Sequence, residues 1–443
     1  MQRILKGLGY LLGGALFLGE ILNAIINSQQ LIRDVSSAIR LSVAGLVIWA
    51  FLEILAWRGV IRWRTPETTA VIRSLGWGLR FGILGAFGLI WIPQALRVRH
   101  ATESVVPSSE VTKIVAAPVS GCAAACSGWC NGEKCVPPVT LADAQLGAQG
   151  LAVNDGQLFW ATKGIPDWPI IQSISVAGGA ARVLAVGPGW PSIVAADSES
   201  VYWVEPQIGS VLAVRRDGGR PRTLWRGKGT PNGLALDATH VYWTDQRTGM
   251  IACVPKEGGR RRVLAQAQAS PLGITAIGEH VVWANMGTEA INYTDGSIKW
   301  IHGDGTDMET LALNQKQPSV LIAVGNRLLW VSLRGNNVHL LMSLSLDRWP
   351  NSAPEQLAEI GRAQPLSLAG DSEHIYWTLR DSGPAGQVVA LSLSGGSPFV
   401  VARDQELPWG VAVDSTAVYW TTQGSGSKSP GTLMKIEKPR KLR

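Results

Sequence analysis

Four of the five cysteines lie close together, in a pattern that could support metal or redox chemistry. Their spacing is Cys-x3-Cys-x3-Cys-x4-Cys, and the residues are Cys122, Cys126, Cys130 and Cys135. Four thiolates suffice for a zinc or iron–sulfur site, although the Cys-x2-Cys pairs typical of such sites do not occur here. In an oxidising compartment the spacing favours two disulfides in a short stem, with metal ligation as the alternative.

Other residues with acid–base potential recur at equivalent positions, each shortly before an aromatic strand. We expect residues that repeat in this way to serve the fold, the aspartates through hairpin hydrogen bonds and the histidines as solvated turn residues. The sequence therefore predicts no catalytic residue and no cofactor, and Cys253 is expected to be a buried thiol in a strand. The repeated residues are Asp197, Asp237, Asp371 and Asp414, together with His240, His280 and His374.

The elements that carry these residues form an internal repeat marked by tryptophan. A Trp follows a hydrophobic or aromatic residue seven times, at intervals of 43, 40, 40, 47, 47 and 43 residues. Repeats of this length are typical of propeller blades with four strands each. The seven residues, expected to pack between blades, are Trp160, Trp203, Trp243, Trp283, Trp330, Trp377 and Trp420.

Each repeat divides into four predicted strands. Six of the seven Trp residues have a Pro twelve positions earlier, and paired glycines follow the third strand in four repeats. Gly-Gly supplies the positive φ angles that tight hairpins require. The last repeat stops at its third strand, Thr432–Ile436, and the segment Val139–Ala142 reads as the missing fourth one. The sequence thus predicts an all-β fold, a seven-bladed β-propeller whose N-terminal strand closes the last blade.

The segment Tyr242-Trp243-Thr244-Asp245 resembles the motif of the YWTD repeats in low-density-lipoprotein-receptor-type (class B) propellers. Less complete versions of this motif occur at Tyr202-Trp203-Val204-Glu205, Tyr376-Trp377-Thr378 and Tyr419-Trp420-Thr421. The resemblance covers residues 139–438. It implies an extracellular recognition module. That family usually has six blades, so the predicted number departs from it.

A second resemblance concerns Pro231-Asn232-Gly233-Leu234, which is similar to a segment of gluconolactonase-type propellers. In those enzymes the Asn helps hold a divalent metal in the central channel, which implies a metal-dependent, lactonase-like hydrolase as an alternative function. Hard cations need several oxygen ligands, and the equivalent positions of the other repeats contain no carboxylate. We therefore predict no metal site. Those positions are Ser192, Leu272, Ser319, Leu366 and Trp409.

The N-terminal quarter contains three apolar stretches, Leu8–Ile26, Leu41–Trp57 and Leu75–Ile92, each near the length needed to cross a bilayer as a helix. The arginines of the second loop predict that this loop is cytoplasmic and that the chain after Arg97 lies outside. We expect a membrane anchor at 1–97 with three transmembrane helices, an extracytoplasmic stem at 98–135, the propeller at 136–438 and a basic tail at 439–443.

Charge distribution argues against nucleic-acid binding. Residues 1–100 contain 11 Lys and Arg against four Asp and Glu, and the remaining residues contain 29 of each. The net charge of +7 therefore belongs to the membrane-flanking quarter.

A ligand-binding face is predicted where irregular insertions coincide with aromatic residues outside the repeat. The connections from second to third strands and from fourth strands to the next blade share one end of a propeller. That end is expected to present Trp168, Trp190, Asn232, Asn285 and Trp409. Alternatively, the Trp residues plug the central channel. The predicted function is a membrane-anchored binding or scaffolding module with a protein partner or other ligand; a subunit of a larger membrane complex is a further alternative.

Overall fold

The computed structural model describes residues 126–131, 134–163, 169–380, 386–426 and 429–439. The predicted anchor at 1–97 and most of the predicted stem lie outside these residues. Among the described residues, no helix has the length and apolar character needed to span a membrane.

The described chain folds into seven four-stranded antiparallel sheets, which are the blades of a β-propeller. A hairpin of β1 (Trp129–Asn131) and β2 (Lys134–Val136) comes first, and β3 (Val139–Ala142) follows. Blade 1 consists of β4 (Leu151–Asn154), β5 (Gln157–Thr162), β6 (Ile170–Ser175) and β7 (Arg182–Val186). Blade 2 consists of β8 (Val194–Ala196), β9 (Ser200–Glu205), β10 (Ser210–Arg215) and β11 (Arg222–Arg226). Blade 3 consists of β12 (Pro231–Leu236), β13 (His240–Asp245), β14 (Met250–Pro255) and β15 (Arg262–Ala265).

Blade 4 consists of β16 (Pro271–Ile277), β17 (His280–Asn285), β18 (Ser297–His302) and β19 (Glu309–Ala312). Blade 5 consists of β20 (Leu321–Val324), β21 (Arg327–Arg334), β22 (Val338–Ser345) and β23 (Glu355–Gly361). Blade 6 consists of β24 (Gln364–Gly370), β25 (His374–Arg380), β26 (Gly386–Ser392) and β27 (Phe399–Gln405). Blade 7 contains β28 (Pro408–Val413) and β29 (Ala417–Thr422), and a small hairpin of β30 (Gly424–Gly426) and β31 (Ser429–Pro430) precedes its third strand, β32 (Leu433–Glu437).

Blade 7 closes the ring with a strand from the other end of the described chain. Val139 of β3 pairs with Lys435 of β32, and Thr140 pairs with Met434. The sheet order β28-β29-β32-β3 confirms the predicted closure and the predicted number of seven blades. Closure removes the exposed edge that an incomplete last blade would present for aggregation.

The core lies between neighbouring blades and is built on the repeated tryptophans. All seven are at most 1% exposed, and each lies in the second strand of its blade. Large aromatic side chains at this position fill the space between two twisted sheets. The prediction that they pack between blades is confirmed.

The repeated aspartates build the turns between first and second strands. In blade 3 the Asp237 carboxylate accepts hydrogen bonds from the amides of Thr239 and His240, each at 2.6 Å, and from the Tyr242 hydroxyl at 2.5 Å. Asp197, Asp371 and Asp414 accept from a Tyr hydroxyl five residues later in the same way. These are the hairpin hydrogen bonds that the sequence predicted.

In blades 3, 6 and 7 the Thr of the Tyr-Trp-Thr segment ties its blade to the next one. The Thr244 hydroxyl donates to the Leu272 carbonyl at 2.5 Å, and the Thr421 hydroxyl donates to the Gln149 carbonyl at 2.9 Å. The inner strands approach so closely that a Cβ on Gly233 would lie 2.3 Å from the Leu272 oxygen. Glycine is therefore required there by a neighbouring backbone.

The disulfide Cys126–Cys135 braces the chain just before β3. The indole of Trp129, which is 4% exposed, donates to the Glu437 carbonyl at 3.0 Å and stacks on Phe399 with ring centroids 6.1 Å apart. This hairpin therefore contacts blades 6 and 7 beside the closure. Cys122 and the Cys130 side chain lie outside the described residues.

Candidate functional site

The two ends of the propeller differ in what they carry. We define the upper face as the end of the propeller that carries two kinds of connection. These are the connections from second to third strands and those from a fourth strand to the next blade. The lower face carries the turns between first and second and between third and fourth strands. Trp190, Asn232 and Trp409 lie in or beside connections of the upper face.

Trp190 is the most accessible of these aromatic residues. Its exposed fraction is 44%, and the Lys163 Nζ lies 4.9 Å from the centroid of its ring. The residues beside it, Gly189 and Pro191, are buried and fix the loop to the blade. A cation over an indole face contributes about 0.5–1 kcal/mol at an exposed site. The pair therefore presents a flat aromatic surface with a positive charge next to it.

A buried carboxylate supports the Trp190 loop from below. Glu205 is completely buried and accepts a hydrogen bond from the Trp203 indole at 3.1 Å. A Cβ at either Gly187 or Gly189 would lie 2.8 Å from a Glu205 oxygen, so the loop rests directly on this side chain. Burial raises the pKa of Glu205, and the Trp203 indole and Gly189 amide oppose that effect.

Trp409 repeats the arrangement two blades away, at the start of the inner strand of blade 7. Its side chain is half-buried, and the Arg380 guanidinium carbon lies 5.9 Å from its ring centroid. Its carbonyl accepts a hydrogen bond from the Thr378 hydroxyl at 2.7 Å, which fixes the backbone. Both aromatic residues thus stand on rigid blades, each with a cation from a neighbouring connection.

Asn232 and Asn285 have different environments. The half-buried Asn232 donates from its amide to the Gln246 side chain at 2.5 Å. Asn285, predicted as part of the binding face, is only 3% exposed. Its side chain accepts from the Trp283 indole at 3.1 Å and donates to Gln268 at 3.0 Å. The expectation that Asn285 is displayed is therefore corrected, because its amide is committed to the interior of blade 4.

The remaining predicted positions are placed as follows. Trp168 lies outside the described residues. Cys253 is a buried free thiol, as expected, and burial raises its pKa. His374 is 6% exposed and therefore not solvated as predicted, because it packs against Tyr376 and Phe399. Among the described residues, no group of three or more His, Cys, Asp or Glu converges as a metal site would require.

Sequence reasoning missed the glutamines that pair with the blade tryptophans. In four blades a Gln side chain accepts a hydrogen bond from the indole of the Trp fifteen residues later, at 2.8 to 3.3 Å. The constant spacing of fifteen residues between Gln and Trp could have revealed these pairs in the sequence. The pairs are Gln145 with Trp160, Gln268 with Trp283, Gln315 with Trp330, and Gln405 with Trp420.

Comparisons with known proteins extend the description of the fold. No family model matches the chain, and no curated protein matches it. Among solved structures, a streptogramin B lyase structure is similar, with a TM-score of 0.53, 15% identity, and coverage of 68% of this chain and 97% of that chain. A nidogen–laminin complex structure is 22% identical with a TM-score of 0.43, covering 58% of this chain and 97% of that chain. The similarity to the lyase structure supports the β-propeller fold alone, which is consistent with a binding or scaffolding module.

Proposed function

We propose that this chain is a membrane-tethered binding module that recognises a protein or other ligand with the upper face of its propeller. The observation that carries the proposal is the pairing of Trp190 with Lys163 and of Trp409 with Arg380. The seven repeated tryptophans, such as Trp160, are buried in the core. Trp190, in contrast, lies in a connection between blades and exposes 44% of its surface. Interface hot spots are enriched in Trp and Arg.

The strand order of blade 7 fixes where the chain joins the closing sheet. Third strands end and fourth strands begin at the lower face, and β32 and β3 are the third and fourth strands of blade 7. The chain therefore enters β3 and leaves β32 at the lower face. The three apolar stretches before residue 98 are the proposed tether.

The experiment is site-specific photo-crosslinking in native membranes. A photoreactive amino acid replaces Trp190 or Trp409 in the full chain, and the matched control carries it in place of Met308, which is 49% exposed at a lower-face turn. We expect the two upper-face positions to give the same discrete adduct and the control not to give it. Equal adducts from all three positions, or none from the upper face, would contradict the proposal.

A second measurement separates binding from catalysis. Changing Asn232 to Ala removes the amide that pairs with Gln246. If Trp190 and Trp409 form a binding face, we expect photoreactive residues at these positions to give the same crosslinked adducts in the Asn232→Ala variant. The lactonase-like alternative instead requires a metal-dependent hydrolytic activity that Asn232→Ala abolishes.

A further inference from the structure

We propose that the lower face of the propeller binds a primary alkylammonium group between blades 3 and 4, at Asp237 and Tyr242. The site includes Gly303 and is separate from the upper face, because Asp237 and Gly303 both lie in turns of the lower face. A lysine side chain of a protein partner and a free alkylamine both carry such a group. Other blades of this chain supply the same group from their own lysines.

A cation directly follows the third strand in three blades. The residues are Arg216 after β10, Lys256 after β14 and Lys438 after β32, whereas Gly303 follows β18 in blade 4. The backbone amide of each of these four residues donates to a carbonyl in the turn between the first and second strands of its blade, at 2.7 to 3.0 Å. The four positions are therefore equivalent, and Gly303 stands where three other blades have a cation.

The lysines at this position bind an aspartate and a tyrosine of the preceding blade. The Lys256 Nζ lies 2.7 Å from an Asp197 oxygen and 5.9 Å from the centroid of the Tyr202 ring. The Lys438 Nζ lies 2.5 Å from an Asp371 oxygen and 5.6 Å from the centroid of a tyrosine ring. A carboxylate beside an aromatic ring attracts an ammonium group through its charge and through the ring quadrupole.

Blade 3 has the same aspartate and tyrosine, but blade 4 supplies no lysine to them. The Tyr242 hydroxyl donates to Asp237 at 2.5 Å, as the Tyr202 hydroxyl donates to Asp197 at 3.1 Å. All the described hydrogen-bond donors to Asp237 are backbone amides or hydroxyl groups. The Asp237 carboxylate therefore has the geometry of the paired aspartates without their ammonium partner.

Arg262 does not replace that lysine. Its guanidinium donates to the Gly303 carbonyl. The equivalent Arg222 donates to the Lys256 carbonyl at 3.2 Å, and Lys256 nevertheless pairs with Asp197. The arginine and the ammonium group thus occupy different places, and both fit beside one tyrosine–aspartate pair.

Gly303 leaves room for the group. A Cβ at this residue would lie 3.3 Å from the Tyr242 hydroxyl oxygen and 3.3 Å from the Glu279 carbonyl oxygen. No other described atom outside its chain neighbours would lie within 4 Å. Because Asp237 and Gly303 are both partly exposed, an ammonium group can approach the carboxylate from solvent.

The chain itself favours an ammonium group over a guanidinium group. The guanidinium of Arg216 meets a different receptor, since it donates to Asn154 at 2.9 Å and to Asp155 at 3.1 Å and lies 5.0 Å from the Phe159 ring centroid. In both tyrosine–aspartate pairs that have a cation, the cation is a lysine. A lysine ammonium is a compact charge on a flexible stem, which suits a single carboxylate oxygen.

The test is a ligand-observed NMR titration of the full chain in nonionic detergent, with n-butylamine and with N-acetyl-lysine amide as probes. We expect both probes to bind and Asp237→Asn to weaken binding about tenfold, because a hydrogen bond between charged groups is lost. The matched control is Asp414→Asn: Tyr419 donates to Asp414 at 2.9 Å, but Val176 stands at the position equivalent to Gly303. No binding of either probe, or equal weakening in both variants, would overturn the inference.

The two probes distinguish the source of the group. Tighter binding of N-acetyl-lysine amide indicates a lysine side chain, and equal or tighter binding of n-butylamine indicates a free alkylamine. Either result supports an alkylammonium site when Asp237→Asn weakens the binding.

Substitutions at Gly303 test the site without an added ligand. Gly303→Lys supplies the ammonium group from within the chain, and Gly303→Met supplies a side chain of similar length without charge. We expect the unfolding midpoint of the Gly303→Lys variant to lie about 2 °C above that of the Gly303→Met variant, and the difference to vanish when Asp237→Asn is added to both. The Gly303→Lys variant is also expected to lose binding of n-butylamine. Equal midpoints with Asp237 present, or undiminished binding of n-butylamine, would contradict the assignment.

Discussion

Lys438 and Asp371 form an ion pair that ties blade 7 to blade 6, with the Lys438 Nζ 2.5 Å from an Asp371 oxygen. The Lys438 side chain is 2% exposed and also donates to the Asp414 carbonyl. Because it follows the last strand of the ring, it fastens the end of the described chain beside the closure.

Changing Lys438 to Met is expected to lower the free energy of unfolding by about 2 kcal/mol, because the partly buried Asp371 loses its counter-ion. Denaturant unfolding measures the difference. Lys316→Met is the matched control, since no described residue forms an ion pair with Lys316, and it is expected to change stability by less than about 0.5 kcal/mol. Equal losses in both variants would refute the role of the pair.

The turn aspartates predict destabilisation in acid. Burial alone would raise the pKa of Asp237, but hydrogen bonds from Tyr242, Thr239 and His240 outweigh it and hold that pKa below its ordinary value of 3.8. Asp197, Asp371 and Asp414 are lowered in the same direction. A carboxylate whose pKa is lowered by folding stabilises the folded state above pH 3.8. This stabilisation is lost as the pH falls through the pKa of the folded state.

Unfolding free energies should therefore fall steeply as the pH is lowered below about 4. Asp237→Asn retains an oxygen for the two turn amides but cannot titrate. Its acid decline should be shallower than that of the unchanged chain. Parallel declines would mean that other groups control acid unfolding.

The inner strands of blades 3 and 4 pack so closely that no side chain fits at Gly233. An added methyl group would meet the Leu272 oxygen at 2.3 Å and the Thr244 hydroxyl at 2.6 Å. Gly233→Ala should cost about 2 kcal/mol of stability, because the contact involves a neighbouring backbone that must shift. Gly335→Ala, where no atom lies within 4 Å, is the control. Thermal unfolding of the two variants makes the comparison, and a Gly233 variant as stable as the control would disprove the close approach.

The disulfide predicts sensitivity to reduction near the ring closure. Cys126 and Cys135 are nine residues apart, and a loop of this length stabilises the folded state by about 2.5 kcal/mol through the unfolded chain. Dithiothreitol should therefore lower the unfolding midpoint. A variant with both residues changed to Ala should start at the lower midpoint and respond less to dithiothreitol. An equal response in that variant would show that dithiothreitol lowers the midpoint by a route other than reduction of this disulfide.

Much of the fold could be predicted because the repeat is strict. The recurrence of Trp243 and its six equivalents predicted the number of blades, and counting strands identified Val139–Ala142 as the closing strand. Both depend on local periodicity, which a sequence displays directly.

The site could be predicted only in part, because its contacts join distant connections. Lys163 and Trp190 belong to different connections of blade 1, and no periodicity relates them. Asn285 was misassigned although side chains two residues apart share a face of a strand, which places it beside the buried Trp283.

The most direct test of the upper-face proposal is hydroxyl-radical footprinting of Trp190 and Trp409 in native membranes and after detergent extraction that strips bound partners. Half-buried Trp300, in the third strand of blade 4, serves as the internal reference. The account predicts that both upper-face residues are oxidised more slowly in native membranes than after stripping, relative to Trp300. Oxidation of Trp190 and Trp409 at the same relative rate in both preparations would contradict a binding function for the upper face.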